Sequence, residues 1–100
     1  MADRFRLLLA QMNPTVGDLA GNAALARQAW AAARDQGCDM VALTEMFLTG
    51  YQTQDLILKP AFLRDTQAAL ERLAADCAAG PAIGIGAPAQ RGGRLHNAYH

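Results

Sequence analysis

Four apolar residues in a row, Met40-Val41-Ala42-Leu43, closed by Thr44-Glu45, constrain this chain more than any other feature. A strand with one wet face alternates apolar and polar residues, and this run does not. It reads as a strand covered on both faces, the pattern of buried sheets in α/β folds. In such sheets chemistry gathers at the carboxyl ends of strands, where loops converge on a crevice. Glu45 stands at such an end, ahead of the turn-like segment Phe47-Leu48-Thr49-Gly50-Tyr51. A carboxylate there is expected to lose much of its hydration, which suits it to accept a proton as a general base. A loop glutamate that caps a turn or pairs with an arginine is the structural alternative.

The flanking segments supply the rest of an α/β unit. Phe5 to Gln11 reads as the first strand, closed at Asn13-Pro14 because proline disfavours helix in the residue before it. Gly17-Asp18 and Asn22 are successive helix starts, and Asn22 is the better cap for Ala23-Ala24-Leu25. The alanine-rich stretch to about Gln36 favours helix and places Leu25, Ala29 and Ala33 on one face. Gly37 suits the left-handed residue after the helix end. Strand two then runs from about Asp39 to Leu43. Strand, helix and strand with such short joints form a right-handed βαβ unit, which brings Gln11 and Glu45 near one sheet edge.

Beyond Glu45, Thr44 to Pro60 reads as a loop. A second helix covers about Ala61 to Ala78, with Leu63, Leu70, Leu73 and Cys77 on one stripe. Ala82 to Ala87 is a third strand, Arg91-Gly92-Gly93 a hairpin turn, and Arg94 to Tyr99 an antiparallel return. That last strand stops without a turn or cap, so residues 1–100 are expected to be the leading, incomplete part of a longer domain.

Composition narrows the function classes. The chain has 100 residues, is 52% hydrophobic, and carries nine basic and nine acidic side chains scattered along its length. It is globular, with no basic stripe for nucleic acid and no polybasic patch for a membrane surface. Leu7 to Ala10 is too short for a signal-peptide core or a bilayer span. Cys38 and Cys77 lack the spacing of a disulfide framework or a zinc site, and a cytoplasmic setting is expected. Gly84-Ile85-Gly86 with Ala89 fits a loose GxGxxA pattern, but Pro88 and a turn follow where a nucleotide-binding helix should open. These glycines instead mark close approach by a neighbouring element. His96 and His100 share a strand face at roughly 13 Å, too far apart to ligate one metal ion.

No nucleophile stands near Glu45 in this reading. Cys38 lies roughly 23 Å back along the extended segment. Cys77 belongs to the apolar stripe of a helix, where a thiol behaves as a small hydrophobe. Lys59, the single lysine, sits in a loop and is expected to be solvated.

Two stretches also carry a resemblance. Ala10-Gln11-Met12-Asn13-Pro14-Thr15-Val16-Gly17-Asp18 through Asn22 resembles the opening of the nitrilase (carbon–nitrogen hydrolase) superfamily, and Met40 to Tyr51 resembles its first catalytic motif. Asp55 to Phe62 and the Gly93 to Ala98 strand extend the match. They place it closest to the branch formed by the amino-terminal glutaminase domains of glutamine-dependent NAD synthetases. Thr44 departs from the family pattern, which has proline before the glutamate; threonine keeps extended geometry but frees φ.

The resemblance implies a four-layer αββα sandwich and a Glu-Lys-Cys triad. Glu45 would be the proton acceptor, and the lysine and cysteine would lie beyond His100. It further implies hydrolysis of glutamine and delivery of ammonia to an ATP- and magnesium-dependent amidation of deamido-NAD, in a homo-oligomer. Tyr51 matches a tyrosine near the glutamine pocket, or else packs the loop. Residues 1–100 alone would be inactive. A stand-alone amidase acting on a small amide or carbamoyl compound is the nearest alternative, and a non-catalytic α/β binding module is a third.

Overall fold

A computed structural model describes residues 3–100. In chain order it contains β1 (Leu7–Leu9), α1 (Leu19–Asp35), β2 (Met40–Ala42), a 3-10 helix (Gln54–Leu58), α2 (Pro60–Asp76), β3 (Ala82–Gly84), β4 (Gly86–Arg91) and β5 (Arg94–Tyr99). Strands β1, β2 and β3 form a parallel sheet in that order, and β4 pairs antiparallel with β5. Register aligns Leu8, Val41 and Ile83 across the parallel sheet. That row meets the core built from α1 (Ala23, Ala26, Ala29, Trp30, Ala33) and α2 (Ala69, Leu73).

The other face of the sheet is bare over β1. Leu7 and Leu9 are 46% and 69% exposed, as is Phe5 at 68%. The apolar residues of β1 thus point both ways, as a doubly covered strand requires, but the described residues cover this second face only at Gly84, where Tyr99 lies.

Helix α1 starts at a different cap from the one its sequence suggests. Asp18 takes that place, its carboxylate accepting from the Gly21 N–H at 2.9 Å. Asn22 lies inside the helix, 1% exposed. Its amide donates to the Thr15 carbonyl at 2.8 Å and the Leu48 carbonyl at 2.9 Å, and its Oδ1 accepts from the Thr15 N–H at 2.8 Å. The short amide that makes asparagine a good cap bonds loop backbone here instead. Gly37 follows the helix with φ +69°, the left-handed residue expected.

The third strand is broken at Ile85. Its first part stays in the parallel sheet, while Ile85 exchanges backbone hydrogen bonds with His100 at 3.1 and 2.9 Å and leads into the hairpin. The hairpin turns on Gly92 and Gly93, both at positive φ, as a two-residue primed turn demands. Helix α2 begins with Pro60 at its first position, where a missing N–H is harmless. Leu73 and Cys77 are buried, Leu63 and Leu70 only half-buried, and Thr66 and Ala69 complete the inner face. The 3-10 helix lies inside the segment expected to be loop.

Candidate active site

The site begins where β2 ends. Leu43 donates its N–H to the Gly84 carbonyl at 2.8 Å, and the Thr44 carbonyl accepts from Gly86 at 3.3 Å. Met46 then adopts φ 52°, a left-handed conformation uncommon outside glycine and frequent at functional sites. This turn buries Met46, Phe47, Leu48 and Thr49. The inner side is thereby occupied, and Glu45 stays on the outer side.

Two loops are stitched together behind this turn. Gly17 donates to the Thr49 carbonyl at 2.8 Å, and Asn22 ties Thr15 to Leu48. Gly50, at φ +80°, passes so close to Val16 that a methyl group would sit 2.5 Å from its Cα. Gln11 and Thr44 border one groove at the carboxyl ends of β1 and β2, the shared edge that the βαβ topology demands.

Glu45, Met46, Tyr51, Thr53, Ile57 and Asn97 line an open cleft of about 390 Å³. Glu45 is exposed, so the expected loss of hydration does not occur among the described residues. Its Oε1 accepts a hydrogen bond from Asn97 Nδ2 at 2.6 Å. Tyr51 borders the same cleft and is 64% exposed.

Asn97 belongs to the Gly93 to Ala98 stretch that carries the resemblance, which gives it no role. The signal was present: alternation on β5 puts Leu95, Asn97 and Tyr99 on one face, and Tyr99 donates its hydroxyl to the Leu43 carbonyl at 3.0 Å. Gly84 makes room for that ring, since a methyl there would lie 2.6 Å from the Tyr99 hydroxyl. The two glycines of the GxGxxA pattern are therefore points of close approach, Gly84 to Tyr99 and Gly86 to the 44–46 backbone.

Neither cysteine joins the cleft. Cys38 is half-buried ahead of β2, and Cys77 is buried at the end of α2, where burial pushes its thiol up from 9.0. Lys59 is exposed at the start of α2. His96 pairs with Ala89 across the hairpin, and the His100 ring lies 3.3 Å from the Ala87 carbonyl. Among the described residues no cluster of His, Cys, Asp and Glu could hold a metal ion, and no helix is long and apolar enough to cross a membrane. A larger groove of about 520 Å³ runs between α2 and β4 past Arg64 and Arg91, lined by no carboxylate or thiol.

Comparison with known proteins adds four observations. The carbon-nitrogen hydrolase family profile matches residues 6–99. The chain is 67% identical over 88 residues to a glutamine-dependent NAD(+) synthetase of Rhodobacter capsulatus, a match covering 88% of this chain and 16% of the relative. Among solved structures it resembles a glutamine-dependent NAD(+) synthetase from Cytophaga hutchinsonii, with TM-score 0.88 and 24% identity, covering 95% of this chain and 16% of that one. It also resembles a variant of the amidase from Nesterenkonia sp. AN1 in which acrylamide has added to the active site cysteine. There the TM-score is 0.73 at 23% identity, covering 89% of this chain and 35% of that one. These two structural matches establish the fold.

Proposed function

The chain belongs to the carbon–nitrogen hydrolase family, and on that premise we propose that it is the leading part of the glutaminase half of a glutamine-dependent NAD(+) synthetase. The observation that carries this reading is the 67% identity over 88 residues, 88% of this chain, with the Rhodobacter capsulatus synthetase. The chain spans about one sixth of that relative's length. The remaining catalytic groups and the nucleotide chemistry are accordingly assigned to other segments of the longer protein.

In this reading Glu45 takes the proton of a cysteine thiol supplied from beyond His100. The sulfur forms a bond to the side-chain amide carbon of glutamine, and a lysine ammonium holds the resulting oxyanion. Collapse of this intermediate breaks the carbon–nitrogen bond. Ammonia leaves with the proton that Glu45 returns, and water activated by the same carboxylate then cleaves the thioester to glutamate. Tyr51, across the cleft from Glu45, is suited to contact the glutamine chain.

Ammonia then amidates deamido-NAD in the ATP- and magnesium-dependent half of the protein. The bare face of Phe5, Leu7 and Leu9 suits the inner side of a four-layer sandwich, which residues 3–100 build only in part. Free thiols at Cys38 and Cys77 suit a reducing cytoplasm.

The test is Glu45→Gln in the full-length protein. Glutamine-driven NAD formation should fall by about 10²–10⁴-fold, while synthesis supplied with ammonium salt should persist. Undiminished ammonia release from glutamine would remove Glu45 from the chemistry. Glutamine turnover by a natural chain lacking any ATP-dependent half would favour the stand-alone amidase instead.

A further inference from the structure

We propose that Asn97 is a positioning residue for Glu45, fixing one carboxylate oxygen so that the other faces the reacting thiol. The inference rests on the reading of Glu45 as the base.

Glutamate has a long side chain, and Glu45 is exposed on the outer side of the Met46 turn. Without a partner its carboxylate would sample several rotamers, and few would be productive. Asn97 Nδ2 holds Oε1 at 2.6 Å, the short distance of a charge-assisted hydrogen bond. An ionised carboxylate only accepts hydrogen bonds, so the amide nitrogen must be the group facing it.

Asn97 is also exposed, but its backbone is held in the hairpin. It stands opposite Pro88 in the β4–β5 ladder, two residues from Tyr99. Tyr99 reaches the Leu43 carbonyl while Asn97 reaches the Glu45 carboxylate. Two side chains on one face of β5 thus grip the end of β2 at matching two-residue spacings. The gripped segment cannot slide without breaking both contacts.

The choice of asparagine also has chemical sense. A carboxamide donates a hydrogen bond but does not titrate, so Glu45 remains the one proton acceptor at this spot. A histidine would compete for the proton, and a lysine would bring a fixed positive charge.

The experiment uses the full-length protein with Asn97→Ala and the near-isosteric Asn97→Asp. Each is assayed with glutamine, with ammonium chloride in place of glutamine, and for thermal midpoint. Both variants should lose about 10- to 100-fold in glutamine-driven kcat. KM for glutamine should change less than twofold, and ammonium-driven synthesis and the midpoint should hold. Asn97→Asp should be as impaired as Asn97→Ala despite its parental size, because a second carboxyl group set against Glu45 either repels it or shares a proton with it, and neither leaves Glu45 a free proton acceptor.

Parental glutamine turnover in either variant overturns the proposal. So does a loss confined to KM, which would make Asn97 a substrate contact, or a parallel loss of ammonium-driven synthesis and midpoint in both variants, which would make it structural. Glu45→Gln, assayed alongside, separates the two levels. If that variant is active, the reading of Glu45 has failed; if it is inactive while Asn97→Ala turns over normally, only the positioning role has failed.

Discussion

Gly86 and Met46 meet backbone to backbone: a methyl group on Gly86 would fall onto the Met46 amide nitrogen, with the Thr44 carbonyl oxygen 2.7 Å away. Neither atom belongs to a side chain that could swing aside. Gly86→Ala must therefore push the Glu45 turn away from β4, or strain β4 itself. The cost should be about 1–3 kcal/mol, as for other forced overpacking, read as a lowered thermal midpoint. Glutamine-driven turnover should fall further than ammonium-driven synthesis, because the displaced backbone carries the carboxylate. An unchanged midpoint would mean that the two segments separate freely.

Asn22 should prove more important to the site than to its helix. It makes three hydrogen bonds from a buried position, and the Leu48 carbonyl it serves lies within the turn that presents Glu45. Asn22→Ala leaves the Thr15 N–H and the Leu48 carbonyl without partners, while the Thr15 carbonyl keeps the Asp18 N–H at 3.1 Å; the cost should be about 2–4 kcal/mol in total. Helix propensity alone would give the opposite sign, since alanine is the better helix former. A higher midpoint in Asn22→Ala would show that helix propensity outweighs the three hydrogen bonds.

This contrast shows where sequence reading succeeds and stops. β2, its preceding helix and the position of Glu45 at the strand end all rest on local patterns: an apolar run, an alanine-rich stretch and Gly37. Each is complete within a few turns of chain. Gly84 and Gly86 were legible as places of close approach, but not what approaches, because Tyr99 and the 44–46 backbone are distant in sequence. Asn22 misled because a cap and a loop staple use the same short amide. Asn97 stayed silent because its partner is 52 residues away. The exposure of Glu45 is likewise a property of packing, which no local pattern carries.

Tyr99 gives a test in alkaline solution. Its hydroxyl end lies over Gly84 beside the Leu43 carbonyl, and burial there pushes the phenol up from 10.0. The folded state thus holds the proton more tightly than the unfolded chain. Its contribution is fully present below pH 10.0 and is lost as pH rises toward the raised folded value. The parent's urea midpoint should fall over that window more steeply than that of Tyr99→Phe, which has no proton to lose. At pH 7 the same variant should be less stable by about 0.5–1.5 kcal/mol, the worth of one hydrogen bond. Parallel alkaline slopes in the two proteins would count against this assignment.

Thr44 stands where the pattern this chain resembles usually has proline. Among the described residues the Thr44 N–H donates to no backbone carbonyl, whereas its own carbonyl accepts from Gly86. Proline lacks the first group and keeps the second, so the exchange sacrifices no backbone bond. Proline also holds the preceding residue in extended conformation. Leu43 already continues β2 in that manner, bonded to Gly84. Thr44→Pro should therefore raise the thermal midpoint slightly, by an amount equivalent to about 0.4–1 kcal/mol, through the reduced freedom of the unfolded chain. Glutamine-driven turnover should stay within twofold of the parent, because the carboxylate and its Asn97 contact are not displaced. A lowered midpoint would show that the backbone at residue 44 cannot accept proline's fixed φ, and that threonine is required in this chain by the path of its own turn.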